Sequence, residues 1–244
     1  VRDEGFDGSI GFEEEVKDAC GVGFLADIQG RASRVLLTNA LEALGRMGDG
    51  AGVMTQIPFA LLEPEATALG LDCTAGNIAV GLLFLPLDPD AAETARGLVA
   101  KVLADHGMPA CHWRTVPVDN DTLGDKALRV RPSLCHALVP RPADMTADRF
   151  EAQLVASRRA IELRTGYAGL EDLYVASLSH RTLVYKALVR ATDLAAYFPD
   201  LRDDRYTTAF AVFHQRFSTN TAPSWKMTQP FRLIAHNGDR VDLA

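Results

Sequence analysis

Apolar residues recur along the chain with two different periods. After Ser33, which stands where an N-cap would, Leu36, Leu37, Ala40, Leu41 and Leu44 fall three and four apart, and this spacing predicts a helix. The same stripe returns behind Asp88-Pro89 on Ala91, Ala95, Leu98, Val99, Val102 and Leu103, and behind Thr146 on Phe150, Leu154 and Ile161. A shorter helix is expected over residues 58–69. Elsewhere the apolar positions alternate or run on without a break. Residues 20–28, 53–57, 78–85, 113–118, 130–139 (interrupted near Arg131-Pro132), 174–179, 182–189, 210–214 and 231–235 are predicted strands.

The segments between these elements are polar. Gln29-Gly30-Arg31 and Ser179-His180-Arg181 read as turns, the second joining two predicted strands, and Asp200-Leu201-Arg202-Asp203-Asp204-Arg205 reads as a charged surface loop. Gly48-Asp49-Gly50-Ala51-Gly52 resembles a phosphate-cradling loop in composition only. Such loops run from a strand into a helix, and this one runs from a predicted helix into a predicted strand. It is read as a glycine turn that permits close backbone packing. Strands therefore come both clustered and separated by long amphipathic helices. That pattern favours an α+β fold with helices layered on sheets over a doubly wound one.

Composition narrows the class. The chain has 244 residues, 48% of them hydrophobic, enough for one large domain or two small ones. A net charge of -7 without a long basic run makes nucleic acid and anionic membranes poor partners. No apolar run approaches the roughly 18 residues of a membrane-spanning helix. The N-terminus is acidic and has no apolar signal-peptide core, so a cytoplasmic location is expected. Residues 1–19, rich in Asp, Glu and Gly, are expected to be a leader that is loosely packed or removed.

Chemistry enters with the thiols. Cys20, Cys73, Cys111 and Cys135 are far apart and none forms a C-x-x-C pair, which disfavours a zinc site or a disulfide framework. Cys73, Cys111 and Cys135 are expected to be buried and inert. Cys20 differs. It heads a predicted strand directly behind the expected leader, and Gly21 and Gly23 beside it allow close backbone approach. A thiol with an unperturbed pKa of roughly 8.5 needs a base. One of the six histidines (His106, His112, His136, His180, His214, His236) could serve. So could the α-amino group of Cys20 itself, if residues 1–19 were removed. Arg216, inside His214-Gln215-Arg216-Phe217-Ser218-Thr219-Asn220-Thr221, is either a bidentate carboxylate anchor or a surface arginine in a well-bonded turn. Asn237-Gly238 is either a simple turn or an amide and a backbone N–H presented side by side as an oxyanion hole. Thiol, carboxylate anchor and oxyanion donors together describe acyl transfer on a small anionic amide.

Several stretches, spread over nearly the whole chain, carry a family resemblance. They are Asp18-Ala19-Cys20-Gly21-Val22-Gly23-Phe24, the run from Gly48 to Pro58, Ser177-Leu178-Ser179-His180-Arg181-Thr182-Leu183-Val184-Tyr185-Lys186, Tyr197-Phe198-Pro199-Asp200-Leu201, and the run from His214 to Gly238. With them the chain resembles the N-terminal glutaminase domain of glutamate synthase large subunits. That domain is a class II glutamine amidotransferase of the N-terminal-nucleophile hydrolases. The resemblance implies a four-layer αββα sandwich and a propeptide, residues 1–19, cleaved before a glutaminase domain beginning at Cys20. It implies L-glutamine as substrate, Cys20 as nucleophile with its freed α-amino group as base, Arg216 on the substrate α-carboxylate, and Asn237 and Gly238 as the oxyanion hole. It implies no cofactor within this chain. FMN and a 3Fe-4S cluster belong to the remaining synthase domains, and a small NADPH-oxidising subunit is the expected partner.

The match departs from the family in three places. Met47 runs straight into Gly48 where the family carries a His-Arg-Gly-Ala loop. Asp239-Arg240-Val241 follows Gly238 where the family has Glu-Ile-Asn. The family aspartate that holds the substrate α-amino group lies beyond Ala244, so the domain is expected to be incomplete on its C-terminal side. Two other readings stand beside this one. One is another class II amidotransferase. The other is a non-catalytic or unprocessed module of the same fold that binds glutamine or a partner chain.

Overall fold

The computed structural model describes residues 21–47, 49–215 and 224–231. In chain order they form β1 (Gly21–Ala26), α1 (Arg34–Gly45), β2 (Asp49–Gln56), α2 (Phe59–Ala68), β3 (Ile78–Leu85), α3 (Pro89–Asp105), β4 (His112–Thr115), α4 (Asp125–Arg129), β5 (Ser133–Pro140), α5 (Ala147–Ala168), β6 (Tyr174–Ser179), β7 (Thr182–Arg190), α6 (Leu194–Tyr197) and β8 (Phe210–Gln215). The strands make two four-stranded sheets, ordered β1-β8-β2-β7 and β4-β5-β3-β6, antiparallel throughout.

The predicted helix starts hold. Ser33 Oγ accepts from the N–H of Leu36 at 3.2 Å, Asp88 Oδ1 from Ala91 at 2.9 Å, and Thr146 Oγ1 from Arg149 at 3.3 Å. Each side chain satisfies a donor that the first helical turn leaves over.

The long apolar run of β3 is buried at all eight positions, and its two faces serve two cores. Ala79, Leu83 and Leu85 join Val99 and Leu103 of α3 and Phe150, Leu154 and Ile161 of α5. Ile78, Val80, Leu82 and Phe84 belong to a second core with Val53, Tyr185 and Phe213 of the first sheet and Leu37 and Leu44 of α1. A strand buried on both faces loses the polar alternation that a one-sided strand shows. Helices flank two sheets whose cores meet, and the fold is the expected α+β sandwich.

Three sequence expectations change and one is extended. Residues 49–52 are not a turn: β2 begins at Asp49, with a bulge between Asp49 and Ala51 where it pairs with β7. The strand expected from residue 130 begins at Ser133, because α4 and its C-cap Val130 occupy the preceding residues. The turn at 179–181 joins two strands as expected, and these lie in different sheets, β6 in the second and β7 in the first. Glu151 of α5 fixes that crossing, accepting from Ser179 Oγ at 2.9 Å and from the N–H of His180 at 3.0 Å. Finally, Asp200 is not on a surface loop. It lies in a 3-10 turn, Pro199–Arg202, and is 4% exposed. Of the strand expected over 231–235, residues 232–235 lie outside the described residues.

Candidate active site

One end of the first sheet carries the described chain neighbours of the predicted nucleophile and of the predicted carboxylate anchor. In β1, β8, β2 and β7 the row Gly21–Gln215–Ala51–Ala187 lies at this end, and the next row is Val22–His214–Gly52–Lys186. Cys20 precedes Gly21 in the chain and Arg216 follows Gln215, so the described neighbours of both are direct register partners. Cys20, Arg216, Asn237 and Gly238 themselves lie outside the described residues.

The glycine-flanked packing predicted here is present. A Cβ on Gly23 would sit 2.2 Å from the Phe213 ring, and one on Gly21 would sit 2.9 Å from Met47 Sδ. Gly52 is as tightly packed as Gly23, but against backbone. A Cβ there would fall 2.2 Å from the carbonyl oxygen of Gln229 and 2.9 Å from Pro230 Cδ. Gln229 and Pro230 therefore lie directly on β2, within a strap formed by residues 224–231. Trp225 Nε1 ties the strap to α4 through the Ala127 carbonyl at 3.3 Å, and Lys226 Nζ donates to the Glu171 carbonyl. Thr228 Oγ1 closes it internally on the Trp225 carbonyl at 2.8 Å. The Gln229 side-chain amide, 1% exposed, has no hydrogen-bond partner among the described residues.

Beneath the strap stands a residue that the sequence reading passed over. Lys186 of β7 is fully buried. Its Nζ donates to Tyr174 Oη at 3.1 Å, to the Lys226 carbonyl at 3.0 Å and to the Thr228 carbonyl at 2.8 Å. It also lies 4.6 Å from the Tyr174 ring centroid and 4.7 Å from that of Phe231. The available signal was one lysine inside the otherwise apolar run Leu183-Val184-Tyr185-Lys186-Ala187-Leu188-Val189. A buried ammonium needs partners for its donors.

A second buried charge lies on the other side of β7. Arg114 of β4 grips Asp200 with two hydrogen bonds, Nη1 at 2.7 Å and Nη2 at 2.9 Å, and its Nε donates to Glu65. Tyr185 Oη donates to the same Asp200 at 2.7 Å. Burial pushes the Asp200 carboxyl up, but the hydrogen bonds from Arg114 and Tyr185 outweigh it and hold the group below the usual carboxylate range. His136 of β5 is buried 3.4 Å from Arg114 Nη1. Burial and then the arginine charge push its imidazole down to about 3. Arg114–Asp200 links β4 of one sheet to the chain leaving the other, and it closes the sandwich rather than forming a reactive group.

The remaining candidates sort clearly. Cys73 and Cys135 are buried as expected and Cys111 is half-buried. Burial pushes Cys73 up to about 11 and Cys111 and Cys135 up to about 12, so none of the three is an activated thiol. Among the described histidines, His214 alone stands in β1 or β8, register-paired with Val22. His136 is in the second sheet, and His180 is at the crossing between sheets, stacked on Phe150. His106 caps α3, its Nδ1 2.8 Å from the Val102 carbonyl oxygen. His236 lies outside the described residues. No group of three potential metal ligands occurs among the described residues, and no helix there is long and apolar enough to cross a membrane.

Three similar proteins are much longer than this chain. The chain is 41% identical over 92% of its length to a ferredoxin-dependent glutamate synthase 2 of Synechocystis, of which it covers 15%. It is 36% identical over 93% of its length to the glutamate synthase [NADPH] large chain of Azospirillum brasilense, covering 16% of that protein. It is 38% identical over 91% of its length to a chloroplastic ferredoxin-dependent glutamate synthase of Oryza sativa, covering 15%. The chain thus spans about a sixth of these relatives. The model of the class-II glutamine amidotransferases matches residues 20–242, from Cys20 through the strap to past Gly238. With two antiparallel sheets, a strand that starts one residue after that cysteine and a family match over all but the first nineteen residues and the last two, the chain belongs to the class-II glutamine amidotransferase family.

Proposed function

We propose that residues 20–244 are a glutaminase domain, released from residues 1–19 by cleavage before Cys20. In this reading Cys20 Sγ attacks the side-chain carbonyl carbon of L-glutamine. The freed α-amino group takes the thiol proton and passes it to the departing nitrogen, which leaves as ammonia. The tetrahedral oxyanion accepts hydrogen bonds from the Asn237 amide and the Gly238 N–H. Water then attacks the γ-glutamyl thioester, releasing glutamate and restoring the thiol. Arg216 pairs with the α-carboxylate of the substrate through two parallel hydrogen bonds.

The observation that carries this reading is the register of β1 on β8. Gly21 and Gln215, the described neighbours of the nucleophile and of the carboxylate anchor, are partners at one end of one sheet. The strap over Gly52 supports it further, because Gln229 and Pro230 lie on the row next to Gly21–Gln215, and Asn237 and Gly238 follow them in the sequence. The family match beginning at residue 20 agrees with a start at the nucleophile.

The larger context follows from the relatives' names. The intact protein would be a glutamate synthase large chain. Its other domains would use the ammonia to make glutamate from 2-oxoglutarate, with FMN and a 3Fe-4S cluster outside this chain. The relatives divide between ferredoxin and NADPH by name. Electrons would come from reduced ferredoxin or through a small NADPH-oxidising subunit.

Intact mass and N-terminal sequencing of the natural protein test the processing step, and a mature chain beginning at Cys20 is expected. In the intact enzyme, Cys20→Ala should abolish glutamine hydrolysis and spare synthesis from added ammonia. Hydrolysis that persists in this variant would remove Cys20 from the reaction.

A further inference from the structure

Lys186 joins two things that the fold could have kept apart: the edge strand β7 and the strap that crosses β2. An ammonium has three N–H donors. Among the described residues it donates to a phenol and to two carbonyls two residues apart on the strap, Lys226 and Thr228. The aromatic rings of Tyr174 and Phe231 flank the charge, an arrangement that stabilises a desolvated cation. Opposite Lys186 in register is Gly52, the residue whose missing side chain lets Gln229 and Pro230 come down onto the sheet. The strap is thus pulled from one strand and admitted by the next. Val22, two residues from Cys20, completes the same row across β8.

From this geometry we propose that Lys186 is a positioning residue for glutamine hydrolysis: it sets the height and register of the strap, and through the strap the oxyanion donors that follow it in sequence. The inference rests on the glutaminase reading above. Lys186 touches no reacting atom. Its effect falls on kcat, because oxyanion donors act on charge that appears only in the transition state. Substrate affinity, assigned above to Arg216, stays largely untouched. Displacement of catalytic groups by about 1 Å is enough for a loss on the order of a hundredfold.

The test compares Lys186→Met and Tyr174→Phe in the intact polypeptide, with three measurements. Deuterium uptake is followed in peptides from the strap and from β3 and α5. The kinetics of glutamine hydrolysis are split into kcat and KM. The rate at which iodoacetamide alkylates Cys20 reports the thiol independently of any oxyanion hole. For Lys186→Met the strap should exchange faster while β3 and α5 do not. At the same time kcat should drop by about tenfold to a hundredfold, with KM and the alkylation rate near parental. Tyr174→Phe removes one acceptor and keeps the ring, so it should show the same pattern in smaller degree. Unchanged strap exchange in both variants overturns the proposal, and so does faster strap exchange with parental kcat. If Lys186→Met loosens β3 and α5 as well, the milder variant decides: a local, kcat-selective change upholds positioning, and its absence refutes it. Should the parental enzyme show no hydrolysis that Cys20→Ala removes, the glutaminase reading fails. Strap exchange then still reports whether Lys186 holds the segment.

Discussion

Tyr185 and Lys186 are consecutive residues on one strand, and their side chains serve two different buried charges. Successive strand residues point to opposite faces. Tyr185 reaches Asp200 in the cluster around Arg114, and Lys186 reaches the strap. The two sites solve the same problem in different ways. Arg114 lays its planar fork on a carboxylate, so charge meets charge and both partners lie on ordered elements. The partners described for Lys186 are neutral oxygens, two of them main-chain carbonyls of a segment without helix or strand of its own. An ion pair of the first kind fixes two elements to each other. An ammonium of the second kind gathers a loop and sets where it runs. The first site concerns the stability of the sandwich, and the second concerns the placement of the strap.

The largest effect that separates them is expected at Asp200. Asp200→Asn leaves Arg114 buried with Glu65 as its one carboxylate, and unpairing a buried charge typically costs about 3–5 kcal/mol. Chemical denaturation should show that loss. Replacing both partners with apolar residues, Arg114→Met with Asp200→Leu, should recover much of it, since the desolvation of both charges disappears together. A double variant no more stable than Asp200→Asn alone would mean that the cluster does more than close the sheets.

A smaller effect is expected at His136, and it depends on pH. Its imidazole, pushed down to about 3 in the folded chain, would titrate near 6.5 when unfolded. Protonation therefore favours the unfolded state. The contribution to stability is complete above about 6.5 and is lost as the pH falls toward 3. By pH 4 the loss is on the order of 3 kcal/mol. Burial lowers His180 as well, so it adds in the same direction. His136→Phe keeps an aromatic ring against Tyr185, which His136 meets edge-on at 5.6 Å, and removes the titration. Melting temperature plotted from pH 7 to pH 4 should be flatter in this variant. An unchanged slope would assign the acid sensitivity elsewhere.

The two sites also differ in how far the sequence revealed them. Helix caps, the apolar run of β3 and the strand heading from Cys20 were legible because periodicity and capping are local. So was the family, whose motifs quoted Tyr185-Lys186 and Pro199-Asp200 without disclosing their roles. The Asp200 segment was misread because five of its six residues are charged, and a dense charge run is ordinarily solvated. What buries Asp200 is Arg114, 86 residues away in the chain. Lys186 was missed for a related reason: its acceptors at 226 and 228 are main-chain carbonyls, which leave no trace in a sequence. The β6–β7 turn was visible, but its passage from one sheet to the other follows from pairings of β3 and β2 with strands far off in the chain. The predicted catalytic residues belong to a third case. They came from motif resemblance, and the described structure bears on them through neighbours such as Gly21 and Gln215.

The mildest perturbation tests the comparison most directly, because it acts on the strand that the two sites share. Tyr185→Phe removes the hydroxyl that donates to Asp200 and keeps the ring, which lies 4.9 Å from the centroid of Phe198. Asp200 retains both bonds from Arg114, so the expected loss is that of one hydrogen bond to a charged group, about 1.5–3 kcal/mol. If the two faces of β7 work independently, this variant lowers the melting temperature and leaves both deuterium uptake by residues 224–231 and kcat for glutamine at parental values. That is the reverse of the pattern expected for Tyr174→Phe, which deletes a hydroxyl on the Lys186 side. Two tyrosine hydroxyls, each bonded to a group at one of the buried charges, would then give opposite signatures in the same pair of measurements. If Tyr185→Phe also loosened the strap, β7 would be passing displacement from one face to the other, and Arg114–Asp200 would count among the groups that place the strap.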